Sequence, residues 1–138
     1  MEEYLDRFRG KKVIVIETED EIVIGSHFAS EYCGSMYTKK LHGTLAKAKA
    51  NASQILIELI ANASNRRWIK NKDEKHKNDA INGWYRYDVL FSLPVVFDGK
   101  RTENYYKGTL VVRINNSGLY LHDLINIKKE DSKPFESK

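Results

Sequence analysis

Two hydrophobic periods run along this chain, one suited to a helix and one to strands. Between residues 44 and 65, Leu45, Ala48, Ala52, Ile55, Leu56, Leu59, Ile60 and Ala63 recur at spacings that keep them on one helical face. The pattern predicts a helix over 44–65, with Thr44 at its N-cap. Lys47, Asn51, Gln54, Glu58 and Asn62 fall on the other sides, while Ile57 widens the apolar stripe.

The strand period appears at both ends. Residues 12–18 (KVIVIET) and 21–24 (EIVI) are short, β-branched runs separated by Glu19-Asp20, the pattern of a hairpin. Three further strand-like runs cover 84–97, 105–114 and 119–128. Asp98-Gly99 and the Asn-Asn-Ser-Gly of 115–118 are turn signals between them. These runs predict a three-stranded antiparallel meander, with Pro94 at an edge or a bulge because it cannot donate to a ladder. Residues 25–43 read as a polar, aromatic loop, and the charged run 66–80 as a second, more exposed helix anchored by Trp68 and Ile69. The expected fold class is α+β: an N-terminal strand pair and one or two helices packed on a twisted antiparallel sheet. Residues 1–130 read as a single domain, and 131–138 as a flexible charged tail.

Composition narrows the chemistry. The chain has 138 residues, 41% hydrophobic and 30% charged, as expected of one globular domain. A net charge of +4 and a pI of about 9.1 are compatible with a polyanionic partner. Cys33 is the sole cysteine, so an internal disulfide is impossible and a cysteine zinc site is disfavoured. No apolar run is long enough to span a bilayer, and Met1-Glu2-Glu3-Tyr4 lacks a secretory pattern. The reading is of a cytoplasmic protein with no membrane partner. There is no Gly-rich phosphate loop and no His-Glu-x-x-His, and the carboxylates do not cluster like a two-metal site. No cofactor and no metal are expected.

Basic and aromatic residues remain. Metal-free RNA cleavage needs a base for the ribose 2′-OH, cationic donors for the phosphorane-like transition state and an acid for the leaving 5′ oxygen. His76, in the run KDEKHKND, is an acid–base candidate; its plain alternative is a surface histidine. In Gly83-Trp84-Tyr85-Arg86-Tyr87, strand alternation puts Trp84 and Arg86 on one face and Tyr85 and Tyr87 on the other. Arg86 is then either a phosphate ligand or one half of a structural salt bridge. Alternation gives Tyr105, Lys107, Thr109, Val111 and Arg113 one face of the next run, and Tyr120 and His122 a shared face of the last. In register, Arg86, Thr109, Arg113, Tyr120 and His122 form one cationic, hydroxyl-bearing patch, for which an ordinary polar stripe is the alternative. Lys47 and Lys49 read as surface charge, and His27 and His42 as surface residues.

The strings Ile24-Gly25-Ser26, Ala46-Lys47-Ala48-Lys49-Ala50-Asn51-Ala52, Gly83-Trp84-Tyr85-Arg86-Tyr87, Tyr120-Leu121-His122-Asp123 and Asn126-Ile127-Lys128-Lys129-Glu130 carry a resemblance. Over about residues 13–130 the chain resembles the large polyvalent protein-associated domains of phage and mobile elements of Gram-positive bacteria. It is similar, too, to phage-borne nucleases of the barnase–EndoU–colicin–RelE-like fold. The resemblance implies helices followed by a four-stranded antiparallel sheet. It implies His76 as acid–base group, Arg86 and Arg113 as phosphate ligands, and Thr109 and Tyr120 as hydroxyl donors. His122 stands where that family would have an aromatic. Lys49, Tyr85, Lys107 and His122 join the site as candidate substrate contacts. The expected activity is a metal-independent ribonuclease-like toxin or effector that cleaves tRNA or rRNA by 2′-OH attack, with a cognate immunity protein as a further partner. The rival expectation is a non-catalytic module that binds nucleic acid or protein.

Overall fold

The computed structural model describes residues 2–72 and 82–134. It is an α+β fold built on a six-stranded mixed sheet in the order β1-β2-β6-β5-β4-β3. The strands are β1 (Lys12–Ile14), β2 (Glu21–Val23), β3 (Ser64–Ile69), β4 (Trp84–Phe97), β5 (Lys100–Asn115) and β6 (Gly118–Pro134). The helices are α1 (Glu2–Asp6), α2 (Phe28–Gly34), α3 (Met36–Lys40), α4 (Gly43–Ala52) and α5 (Leu56–Ala61).

The meander forms as its alternation predicts. Asp98 and Gly99 both hold positive φ, 52° and 73°, the backbone of a tight hairpin turn, and Phe97 pairs with Lys100 across it. At the other turn, Asn115 Oδ1 accepts from the backbone N–H groups of Ser117 (2.9 Å) and Gly118 (3.1 Å). Pro94 pairs with Glu103 on β5, whereas β3 reaches along β4 only to Asp88. Pro94 therefore sits on an edge, where its missing N–H costs no ladder bond.

The predicted strand pair is real and also extends the sheet. β2 lies parallel to β6, with Ile22 opposite Leu119 and Val23 opposite Tyr120. One sheet face carries Tyr87, Val89, Leu110, Val112, Leu121 and Leu124, all buried against Ala48, Ala52, Leu56, Leu59 and Ile60 of α4 and α5. The stripe read at 44–65 is thus the core face of the helical layer.

Five expectations are corrected. The single helix is two, separated by a 3₁₀ turn at Ser53–Ile55; Ser53 Oγ donates back to the Ala50 carbonyl at 2.5 Å, a bond that competes with the helical ladder. Helix α4 starts at Gly43, with His42 rather than Thr44 at its cap. The loop expected over 25–43 contains α2 and α3; in α3, Ser35 Oγ accepts from the Thr38 N–H at 3.1 Å as an N-cap. The helix expected over 66–80 gives way, at its start, to β3, in which Trp68 pairs with Tyr85 and Ile69 with Trp84. A charged edge strand carries the residues that looked helical, consistent with the way charges protect sheet edges. Strand β6 also runs past the expected boundary at Glu130 to Pro134, opposite Thr102.

Lys49 is the largest departure from expectation. It is 1% exposed, not a surface charge. Its Nζ donates to Asp123 Oδ1 and to Thr38 Oγ1, each at 2.5 Å, and lies 4.5 Å from the Tyr32 ring centre. Asp123 Oδ1 also accepts its neighbour's backbone N–H, from Leu124, at 2.8 Å. The pair ties α4 to β6. Burial drives the Lys49 ammonium below its ordinary pKa, and Asp123 partly opposes that shift. A second polar knot fastens the β1–β2 turn: Asp20 accepts from Tyr87 Oη (2.6 Å), Thr18 Oγ1 (2.6 Å) and Arg66 Nη1 (2.9 Å).

Removing one half of a buried ion pair strands the other, a loss of about 3–5 kcal/mol. Lys49→Ala is expected to lower the urea-unfolding free energy by about that amount, and Lys49→Met with Asp123→Leu to recover much of it. Acid should weaken the Asp20 knot. Burial acts to raise the Asp20 carboxyl, but the bonds from Thr18, Tyr87 and Arg66 prevail and hold it below its ordinary 3.8. The folded form therefore binds fewer protons than the unfolded chain. The resulting stabilisation is full above the ordinary value and is lost as pH falls through the lower folded value. Asp20→Asn should flatten that part of a stability-against-pH curve measured by denaturant titration.

Candidate functional site

The second face of the meander carries the candidate residues. Register places Trp84, Arg113 and Tyr120 in one cross-strand row, Arg86, Val111 and Asp123 in the next, and Asp88, Thr109 and Ile125 in the third. Between the first two rows, β6 slips in register: Val112 faces Leu121 and Val111 faces Asp123, so His122 is the extra residue of a bulge. The bulge sets His122 against Trp84, with ring centres 5.0 Å apart.

A cleft of about 490 Å³ opens over these rows. Ile69, Lys70, Asn71 and Lys72 form its rim, and Trp84, Arg86 and His122 line it above Val111, Asp123 and Ile125. Asn71 Oδ1 accepts from Trp84 Nε1 at 3.3 Å and fixes the indole against the rim. Arg86 Nε is buried with no hydrogen-bond partner, and no carboxylate lies within ion-pair range of its guanidinium among the described residues. Its neighbours on β3 are engaged: Arg66 with Asp20 at 2.9 Å and Arg67 with Asp88 at 3.0 Å. Asp123 is the acid at the cleft floor, and the buried Lys49 ammonium offsets its charge.

Next to the cleft, Glu31 of α2 joins two of the predicted residues. Its Oε2 accepts from Arg113 Nη1 at 2.7 Å and lies 3.4 Å from His122 Nδ1, while Oε1 is buried without a partner among the described residues. Burial acts to raise the Glu31 carboxyl, yet His122 and Arg113 prevail and hold it below its ordinary 4.5. A second hollow, lined by Ser26, His27, Glu31, Arg113, Asn115 and Tyr120, lies on the other side of this carboxylate. Tyr120 Oη bonds Ser117 Oγ at 2.8 Å, and the Arg113 guanidinium lies 6.0 Å from the Tyr120 ring centre.

No family model, curated protein or solved structure matches this chain.

The predicted residues thus divide. Arg86 and His122 share the main cleft, and Arg113 and Tyr120 share the hollow beside it. Arg113, expected as a phosphate ligand, already carries a carboxylate partner. Thr109 lies on the same face but is buried and lines neither opening. Tyr85 faces the opposite side of the sheet, beneath the Arg66 guanidinium at 4.5 Å. Lys107 pairs across from Leu90, further along the hairpin, with Glu130 4.0 Å from its Nζ. Lys49 is enclosed in the core and cannot meet a substrate. His76 lies outside the described residues.

Sequence reasoning missed Glu31, Lys70, Lys72 and the role of Trp84 as a cleft wall. Lys70 and Lys72 follow the β3 run directly, so reading 64–69 as a strand would have placed them at its end, beside Trp84. Glu31 had no such signal, because it reaches Arg113 only through the docking of α2 on β6.

Gly83 sets the entry to β4. Its φ is +92°, and an added Cβ would stand 2.8 Å from both the Ile69 carbonyl oxygen and Trp68 Nε1. Gly83→Ala is expected to destabilise the fold by about 1–3 kcal/mol, because strain and collision act together. It should also shift the indole N–H resonance of Trp68, which donates to the Asn82 carbonyl at 2.9 Å, in an NMR spectrum while leaving core methyl resonances near Leu121 and Leu124 in place.

Proposed function

We propose that this chain is an RNA-binding module, of the phage or mobile-element kind its sequence resembles, and that the Trp84–Arg86–His122 cleft takes the RNA. One observation carries the reading: Arg86 brings to a cleft whose rim bears Lys70 and Lys72 a guanidinium whose buried Nε has no partner among the described residues. An Arg fork offers planar, paired donors that suit a phosphate. Trp84, with the His122 ring centre 5.0 Å from its own, makes an aromatic wall beside that guanidinium. Among the described residues that line this cleft, Asp123 is the one carboxylate, and Lys49 offsets it from within.

A second reading, metal-independent cleavage in the same cleft, is favoured by the His122–Glu31 contact. There His122, rather than His76 alone, takes the proton of a ribose 2′-OH. The 2′ oxygen attacks phosphorus, the bond from phosphorus to the 5′ oxygen breaks, and that oxygen leaves with a proton from a cationic donor at the rim. The products are a 2′,3′-cyclic phosphate and a 5′-hydroxyl. Glu31 orients the imidazole and Arg86 stabilises the phosphorane-like charge.

Titrating the protein with total tRNA or rRNA in EDTA, with fluorescence anisotropy for binding and gel analysis for scission, tests both. Binding should weaken steeply with salt. Arg86→Ala should lower affinity about tenfold or more, as the loss of charge-assisted bonds implies. Strand scission abolished by His122→Ala establishes the second reading, whereas tight binding with intact RNA leaves only the first. Failure to bind any RNA at low salt overturns both.

A further inference from the structure

We propose that this chain pairs with a second copy of itself through the free edge of β4, antiparallel, with Leu93 on the two-fold axis. The dimer stands independently of RNA binding. Its starting point is an edge that the fold leaves open. Strand β4 pairs with β5 from Trp84 to Phe97 without a register shift, but β3 reaches only to Asp88 on its other side. From Val89 to Phe97 no strand among the described residues covers that side. The segment reads VLFSLPVVF, without a charge, whereas β3 bears Arg66 and Arg67. Sheet edges are ordinarily guarded by charged side chains. Leu90 and Val96, on the face that carries Arg86, are 75% and 70% exposed.

The hairpin fixes which backbone groups are free. Phe97 and Lys100 close its two-residue turn and so exchange ladder bonds. Hydrogen-bonded pairs alternate along an antiparallel ladder, so Phe97, Val95, Leu93, Phe91 and Val89 bond β5. Thr102 Oγ1 donates to the Val95 carbonyl at 3.3 Å, in keeping with a carbonyl on the β5 side. Leu90, Ser92, Pro94 and Val96 consequently turn their backbone groups outward. Pro94 offers a carbonyl but no N–H, which makes the edge a poor template for an arbitrary strand.

One register suits two such edges. Leu93 is the midpoint of the open stretch from Val89 to Phe97. With Leu93 opposite its own copy the stretches overlap completely, and each hairpin tip stops where β3 of the other copy begins. Leu90 then exchanges both ladder bonds with Val96 of the second copy, and Ser92 donates to the carbonyl of Pro94. The two-fold repeats each contact, for about six ladder bonds in all. Sliding by one bonded pair sets Pro94 against Pro94, or Leu90 against Pro94, and leaves about four. On one face Leu90 and Val96 cover one another, and on the other Leu93 meets its own copy. No like charges are opposed along the strand. Directly opposed residues of an antiparallel pair point to the same side, so the two faces that carry Arg86 lie on one side of the joined sheet. The contact uses the same patch of both copies and closes at two.

Sedimentation equilibrium of the full chain between about 2 and 200 µM tests the dimer, a range that brackets micromolar association. A monomer–dimer equilibrium is expected, with the mass rising from 16.0 kDa toward twice that value. Leu90→Glu with Val96→Glu sets carboxylates opposite one another across the interface and should weaken association about tenfold or more. Both positions are exposed, and Lys107 and Arg101 stand opposite them on β5, so neither change strains the fold. Leu90→Glu with Val96→Lys opposes unlike charges in this register and should restore association. That rescue also separates loss of the interface from loss of the fold. In amide exchange read by NMR, the N–H groups of Leu90, Ser92 and Val96 should gain protection as concentration rises. Those of Leu93 and Val95, bonded to β5, should stay protected throughout. A chain that remains monomeric at about 200 µM, a dimer indifferent to the double Glu variant, or one that Val96→Lys does not rescue overturns the proposal.

Discussion

A single buried ion pair, Lys49 with Asp123, connects the helical layer to the strand that borders the cleft. Neither charge survives burial alone: each would carry a desolvation penalty of several kcal/mol that only a close partner and further hydrogen bonds offset. Thr38 and the Leu124 N–H supply those extra bonds, and Tyr32 closes over the ammonium while its hydroxyl donates to the Lys49 carbonyl at 2.7 Å. The pair thereby fixes α2, α3 and α4 relative to β6. Because Asp123 follows the bulged His122, the same pair holds the bulge that turns the imidazole toward Trp84. Stability and site geometry meet in one interaction.

The charges around the cleft are arranged by subtraction. Arg66 and Arg67 are assigned to Asp20 and Asp88, Arg113 to Glu31, and Lys49 to Asp123. Among the described residues at the cleft, these pairings leave Arg86 on its wall and Lys70 and Lys72 at its rim. A net charge of +4 is modest over a whole surface. Glu31 adds a further layer, since it holds Arg113 and His122 together and separates the main cleft from the hollow beside Tyr120.

Much of the sheet was legible. Alternation at Trp84–Tyr87 and at residues 105–114 assigned the core and outer faces correctly, because side chains on a pleated strand have no other choice. Asp98-Gly99 marked its turn through a backbone preference that needs no tertiary partner. Residues 66–69 misled for a physical reason: an edge strand dense in Arg carries the same residues as an exposed helix, and only pairing with β4 distinguishes them. Lys49 misled in the opposite sense. In a run of alternating Lys and Ala, nothing local reveals that a carboxylate seventy-four residues onward will be buried against one of the two lysines.

The chain by itself determined the class of fold, the meander, the face on which Arg86, Arg113 and Tyr120 stand, and the apolar stripe that docks the helices; each follows from period and turn chemistry acting over a few residues. The three-dimensional arrangement alone decided which of the cations are neutralised, that β2 joins β6, and that a one-residue slip brings His122 beside Trp84. Those outcomes depend on contacts between segments far apart in sequence, where the energy of a charge is set by what surrounds it and not by its neighbours along the backbone.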